Sequence, residues 1–113
     1  MEIQFTVSIP PTDNQRLGHG RGRMWRTKRY KEFIDEVKLL APKTKPLKYV
    51  DVVIAPKVGY QIDVHNLTKP TMDALQAAGV LQDDRYVISA NATRRSTCEK
   101  GKMMITIKEC ERV

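Results

Sequence analysis

From Glu2 to Ile9 the chain alternates without error, with Ile3, Phe5, Val7 and Ile9 on one side and Glu2, Gln4, Thr6 and Ser8 on the other. A two-residue period is what a strand with one buried face requires, and a helix cannot present it. The same period returns near the other end, where Met103, Ile105 and Ile107 alternate with Lys102, Met104, Thr106 and Lys108 in a strand predicted over Lys102 to Glu109. Between these ends the period changes. From Lys28 to Ala41, Tyr30, Phe33, Ile34, Val37, Leu40 and Ala41 recur at helical steps, and Pro42 ends the run. A second helix is predicted to begin between Asn66 and Thr68, both acceptable N-caps, because Pro70 is tolerated only in a first turn, and to stop at Gly79. Its buried stripe would be Leu67, Thr71, Ala74, Leu75 and Ala78, while Asn66, Lys69 and Asp73 fall together on another face at steps of three and four.

Two further strands are predicted. One, rich in β-branched residues, runs from Leu47 to Ala55 before Pro56, and another from Arg85 to Arg95. Ser96 to Gly101 has hairpin length, so the last two strands are predicted to form an antiparallel pair. The order β-α-β-α-β-β, a mixed sheet packed by two helices, describes a single small α/β domain spanning residues 1–113.

At 113 residues there is no room for a second domain. The longest apolar run, Val52 to Ala55, is far short of the ~20 residues of a membrane span. The start of the sequence lacks a secretory pattern, so the reducing cytoplasm is the expected compartment, with Cys98 and Cys110 as free thiols. A formal net charge of +7 points to a polyanionic partner, with nucleic acid ahead of a membrane surface or an acidic protein.

The charge is uneven: from Arg16 to Lys31 there are seven Lys and Arg residues and no acidic one. Thr12 to Thr27 shows no apolar period and reads as a long exposed loop. Its glycines would let the backbone follow a phosphate chain, and Arg16, Arg21, Arg23, Arg26, Lys28 and Arg29 would neutralise that chain. Trp25 either offers a stacking face to a base or folds back into the core, and His19 reads as a bystander.

Set against this basic chain, Asp63, Asp73, Asp83 and Asp84 fall within 22 residues, together with His65, Asn66 and Lys69. Clustered carboxylates repel one another unless a cation, a lysine or shared protons neutralise them, and oxygen donors at this density suit Mg²⁺ or Mn²⁺. With DNA as substrate the reaction would be phosphodiester hydrolysis. Lys69 would stabilise charge developing on phosphorus or protonate the leaving oxygen. The competing structural reading makes Asp63 and Asn66 helix caps, Asp83-Asp84 a turn and Asp73 a surface residue.

These residues also form a recognisable pattern. Asp63-x-x-Asn66-x-x-Lys69-x-x-x-Asp73-Ala74-Leu75, followed by Gly79-Val80-Leu81-x-Asp83-Asp84-x-x-Val87, resembles the core signature of the RusA-type Holliday junction resolvases. The likeness extends to Pro10-Pro11, Asn14, the Arg-rich Gly loop, and Lys100-Gly101 before Ile105-Thr106-Ile107-Lys108-Glu109, so it covers nearly the whole chain. It implies a homodimeric α/β endonuclease, acting in DNA recombination and repair and associated with the nucleoid of a bacterium or phage-infected cell. Such an enzyme places paired symmetric nicks in four-way DNA junctions with Mg²⁺ or Mn²⁺.

By position, Asp63 and Asp84 match metal-binding acids that take part in catalysis, Lys69 matches the functional lysine, and Asp83 the preceding acid of the pair. At one position the chain departs from the pattern, which usually reads Asp-x-Asp-Asn: His65 stands where the second Asp is expected. Three readings compete. His65 ligates the metal and shifts preference toward Mn²⁺, it acts as a general base, or it marks a branched-DNA-binding module of weakened or lost activity. A second question is geometric. A helix from Thr68 to Gly79 is about 18 Å long, and the five steps back to Asp84 recover at most ~17 Å. Asp84 therefore rejoins Asp63 within one chain only if the helix is short, or else it completes the partner subunit's site.

Overall fold

The structure is a computed structural model describing residues 2–11, 17–20 and 23–110. Its elements in order are β1 (Glu2–Ser8), β2 (Leu17–Gly20), β3 (Arg23–Arg26), α1 (Lys28–Leu40), β4 (Val50–Pro56), a 3₁₀ turn (Val64–Leu67), α2 (Thr68–Ala77), a second 3₁₀ turn (Asp84–Tyr86), β5 (Val87–Ala92) and β6 (Lys102–Glu109). The predicted helices and outer strands are present, and β6 has the predicted bounds.

A four-stranded sheet in the order β1-β6-β4-β5 forms the frame. β6 lies antiparallel to both β1 and β4, while β4 and β5 run parallel, joined through α2 as a β-α-β unit. The registers carry rows of apolar residues across the sheet. Ile107 lies opposite Ile3 on one side and Val52 on the other, and Ile105 opposite Phe5 and Ile54. These side chains are buried with Tyr30, Phe33, Ile34 and Val37 of α1 and Met72, Ala74 and Leu75 of α2 in one core. The alternate positions, among them Glu2, Gln4, Lys108 and Val53, are exposed on the other face.

The ends of the elements are set by identifiable groups. The Thr27 hydroxyl accepts the Tyr30 N–H at 3.3 Å and caps α1. Glu36 accepts from both the N–H and the hydroxyl of Ser8, at 2.8 and 3.0 Å, tying α1 to the end of β1. Gly79 takes φ +80 just past α2, the left-handed conformation that a helix stop favours.

The structure corrects four expectations. The segment from Thr12 to Thr27 is not simply a loop, because β2 and β3 pair antiparallel as a separate two-stranded ribbon, with Gly18 opposite Trp25 and Leu17 opposite Arg26. Backbone pairing holds this ribbon, and its polar and glycine-rich strands carry no apolar alternation to reveal it. Second, β5 and β6 are not a hairpin, since β4 lies between them. The linker after β5 crosses the end of β4 instead, through Thr93 N–H to Ile54 C=O and Gly101 N–H to Lys57 C=O at 2.9 and 2.8 Å.

Third, β4 begins at Val50 rather than Leu47. Tyr49 has φ 54, which breaks the strand, and Leu47 bonds with Val80 and Gln82 beyond α2. Fourth, β5 runs from Val87 to Ala92 rather than from Arg85 to Arg95, because its approach is the 3₁₀ turn and Arg94 is engaged elsewhere. No helix among the described residues is long and apolar enough to cross a membrane, and Cys98 and Cys110 are free.

Candidate active site

The acidic stretch enters the fold from a loop that Arg94 holds in place. The Arg94 guanidinium donates to the carbonyls of Gly59 and Ile62, at 3.3 and 2.5 Å, and sits 4.6 Å from the Tyr60 ring centroid. Asp63 follows this anchored loop. Its Oδ1 accepts the His65 N–H at 3.0 Å, so Asp63 caps the 3₁₀ turn Val64–Leu67, which runs directly into α2. Asn66 and Thr68 do not supply the cap. Val64 and Leu67 bury inward, and this leaves Asp63, His65 and Asn66 exposed. Pro70 falls in the first turn of α2, as its chemistry requires. Thr71, fully buried, satisfies its hydroxyl on the Leu67 carbonyl at 2.7 Å.

Lys69 and Asp73, one helical turn apart, point together into a concavity of about 360 Å³, which is also lined by Met72, Asp84, Val87 and Ser89. Asp84 therefore returns to α2 within the same chain. It can do so because α2 ends at Ala77, turns through Gly79, and doubles back by bonding Val80 N–H to the Leu75 carbonyl at 2.9 Å. The parallel bridge of Leu81 to Leu47 then carries the chain to Asp83.

Asp83 caps the next turn, with Oδ1 accepting the Arg85 N–H at 3.1 Å and Oδ2 lying 3.4 Å from Arg85 Nε. The Arg85 backbone N–H, together with hydrogen bonding to Asp84 and the Arg85 charge, holds the Asp83 carboxyl below its usual range against the opposing effect of burial. Of the expected face of Asn66, Lys69 and Asp73, the last two line the concavity, joined by Asp84. Among the described residues, no three His, Cys, Asp or Glu side chains converge into a group that could hold a metal ion.

Comparison with known proteins shows the family. The family model described as Endodeoxyribonuclease RusA matches residues 8–108. The chain belongs to the RusA endodeoxyribonuclease family. Relatives named crossover junction endodeoxyribonuclease RusA include one from Escherichia coli O139:H28 (strain E24377A / ETEC), 27% identical over 115 residues covering 93% of this chain and 92% of the relative. Another from Shigella sonnei (strain Ss046) is 27% identical over 117 residues, with the same coverage of both chains. The relative from Enterobacteria phage 82 is 26% identical over 115 residues, again covering 93% of this chain and 92% of its own.

In this RusA-family chain, Arg16 and Arg21 lie outside the described residues, and Arg23 and Trp25 take backbone positions in β3. Arg26, Lys28 and Arg29 are exposed where the ribbon meets α1. Arg94 and Ser89 carry no signal in the sequence alone. Arg94 lies after a strand with no periodic signal, and Ser89 reaches the concavity only through the parallel pairing of β5 with β4. Ser89 is itself held, donating its hydroxyl to Asp51 Oδ1 at 2.5 Å, while the Cys110 thiol lies 3.2 Å from Asp51 Oδ2.

Proposed function

We propose that this protein is a metal-dependent endonuclease that resolves four-way DNA junctions by paired, symmetric phosphodiester hydrolysis as a homodimer. The observation that carries this reading is the convergence of Lys69, Asp73 and Asp84 on one open concavity of a strongly basic, RusA-family chain. An ammonium beside two carboxylates at a solvent-open site can receive a phosphate and act on it.

Asp73 and Asp84, the two carboxylates that line the concavity, fit Mg²⁺ or Mn²⁺ in their usual mode, in which one or two carboxylates and the substrate phosphate hold an ion that keeps several waters. Asp63 and His65 stay candidate ligands on the turn before α2, outside the residues that line the concavity. Asp83 directs both of its oxygens to Arg85. Such an ion would polarise the phosphate and lower the pKa of a bound water. Lys69 would bind a phosphate oxygen and stabilise the charge that develops as water adds to phosphorus and the P–O ester bond breaks. The proton lost by the water would end on solvent, or on the departing oxygen by way of Lys69. A dimer supplies two equivalent sites to a junction that itself has approximate twofold symmetry.

The test is to incubate the protein with a synthetic four-way junction and with matched duplex, in Mg²⁺, in Mn²⁺ and in EDTA. Symmetric nicks confined to the junction and dependent on metal support the reading. Junction binding without cutting would instead indicate a DNA-binding module whose metal site is lost at His65, and indifference to both DNAs would remove both readings.

A further inference from the structure

The turn Asp84–Tyr86 presents a second surface beyond the concavity. Two cations lie on the ring of Tyr86, with Lys48 Nζ 4.8 Å and Arg85 Cζ 5.3 Å from its centroid. Tyr49 meets the same ring edge-on, with centroids 5.6 Å apart and planes at 70°. The arrangement is built rather than incidental. Tyr49 holds φ 54, a left-handed conformation that bulky residues rarely adopt and that gathers at functional positions. Its carbonyl is fixed by the Cys110 N–H at 2.7 Å.

Lys48 also borders a concavity of about 430 Å³ together with Lys45, Leu47, Gln82 and Glu109. Arg85 is 72% exposed, and its contact with Asp83 engages Nε. Drawing two like charges onto one ring, in a chain already at +7, favours an anion as the third member.

We propose that Lys48 and Arg85, gathered on Tyr86, bind a backbone phosphate of the DNA strand that is cut at the Lys69 and Asp84 concavity, as a nucleic-acid contact separate from the arginine-rich ribbon. This rests on the nuclease reading above. Asp84, which lines the concavity, and Tyr86, which gathers the two cations, belong to one 3₁₀ turn, so the contact lies next to the proposed cleavage site. It would fix the strand's register on the enzyme without reading its sequence.

The experiment measures binding of the full chain to a four-way junction in EDTA across about 50 to 200 mM salt. Lys48→Ala, Arg85→Ala, Tyr86→Phe and Tyr86→Leu are compared with wild type, and Lys38→Ala, on the exposed side of α1, serves as the control for lost charge. Lys48→Ala and Arg85→Ala should each flatten the slope of log affinity against log salt by about one. Tyr86→Leu should weaken binding, while Tyr86→Phe, which keeps the ring, and Lys38→Ala should match wild type. Slopes unchanged in both Lys48→Ala and Arg85→Ala, with wild type still binding, overturn this inference and leave the nuclease reading standing. Wild type that shows no salt-dependent binding overturns both.

Discussion

Asp63 serves the fold and the proposed chemistry at once, since one carboxylate oxygen caps the turn into α2 while the side chain stays exposed beside His65. Replacing it by Ala would therefore disturb structure as well as function, and His65 is the cleaner probe of metal binding. If His65 ligates, His65→Asp should raise affinity for Mg²⁺ relative to Mn²⁺ in an isothermal titration, because a carboxylate suits the harder ion. Unchanged affinities for both would exclude direct ligation.

Asp51 offers a second residue-level test. Hydrogen bonds from Ser89 and then Cys110, with the charge of Lys108, hold its carboxyl below the ordinary aspartate range despite some burial. A carboxyl lowered in the folded state stabilises fully above its unfolded value, roughly 3.9, and that stability is lost as pH falls through the folded value. Asp51→Asn should therefore be less stable than wild type in urea at neutral pH. The gap should close as pH drops below the ordinary carboxylate range. A gap that stays constant with pH would contradict the assignment.

At the scale of elements, β1, β6 and the two helices were legible because their apolar periods are regular and their ends carry Pro or Gly, as at Pro42 and Gly79. Lys69 and Asp73 were legible as a pair for the same reason, since helical spacing alone puts them on one face. The β2-β3 ribbon was hidden because backbone pairing leaves no hydrophobic trace. The parallel partner of β5 was hidden because pairing between distant segments is not written in local spacing, and the approach of Ser89 to the concavity depends on it. Gly79 links these levels, since its φ of +80 turns the chain from α2 back toward Asp84. No atom would crowd an added Cβ there, so Gly79→Ala tests the backbone conformation alone. It should cost about 1 kcal/mol in chemical denaturation, and Gly79→Asn should cost less, because Asn tolerates the left-handed region better.

For the whole molecule, the question is whether one subunit makes one site. Lys69 and Asp84 line the same concavity of a single chain, so in the proposed homodimer mixing Lys69→Ala with Asp84→Asn subunits should leave both sites of a mixed pair defective. Recovered junction cutting in the mixture would mean that the two residues act across two subunits. The basic charge of the chain adds a second whole-molecule property: junction affinity should fall steeply with salt, because each neutralised phosphate releases counterions.

The proposed nuclease is tested most directly by the single-turnover rate at which wild type, Lys69→Ala and Asp84→Asn cut a four-way junction in Mg²⁺ or Mn²⁺, with binding measured separately in EDTA. Wild type should give paired nicks and each variant should lose at least about 10²-fold in rate, with Lys69→Ala still holding the junction. Variants that cut at the wild-type rate, or wild type that leaves the junction intact in both metals, would contradict the proposal.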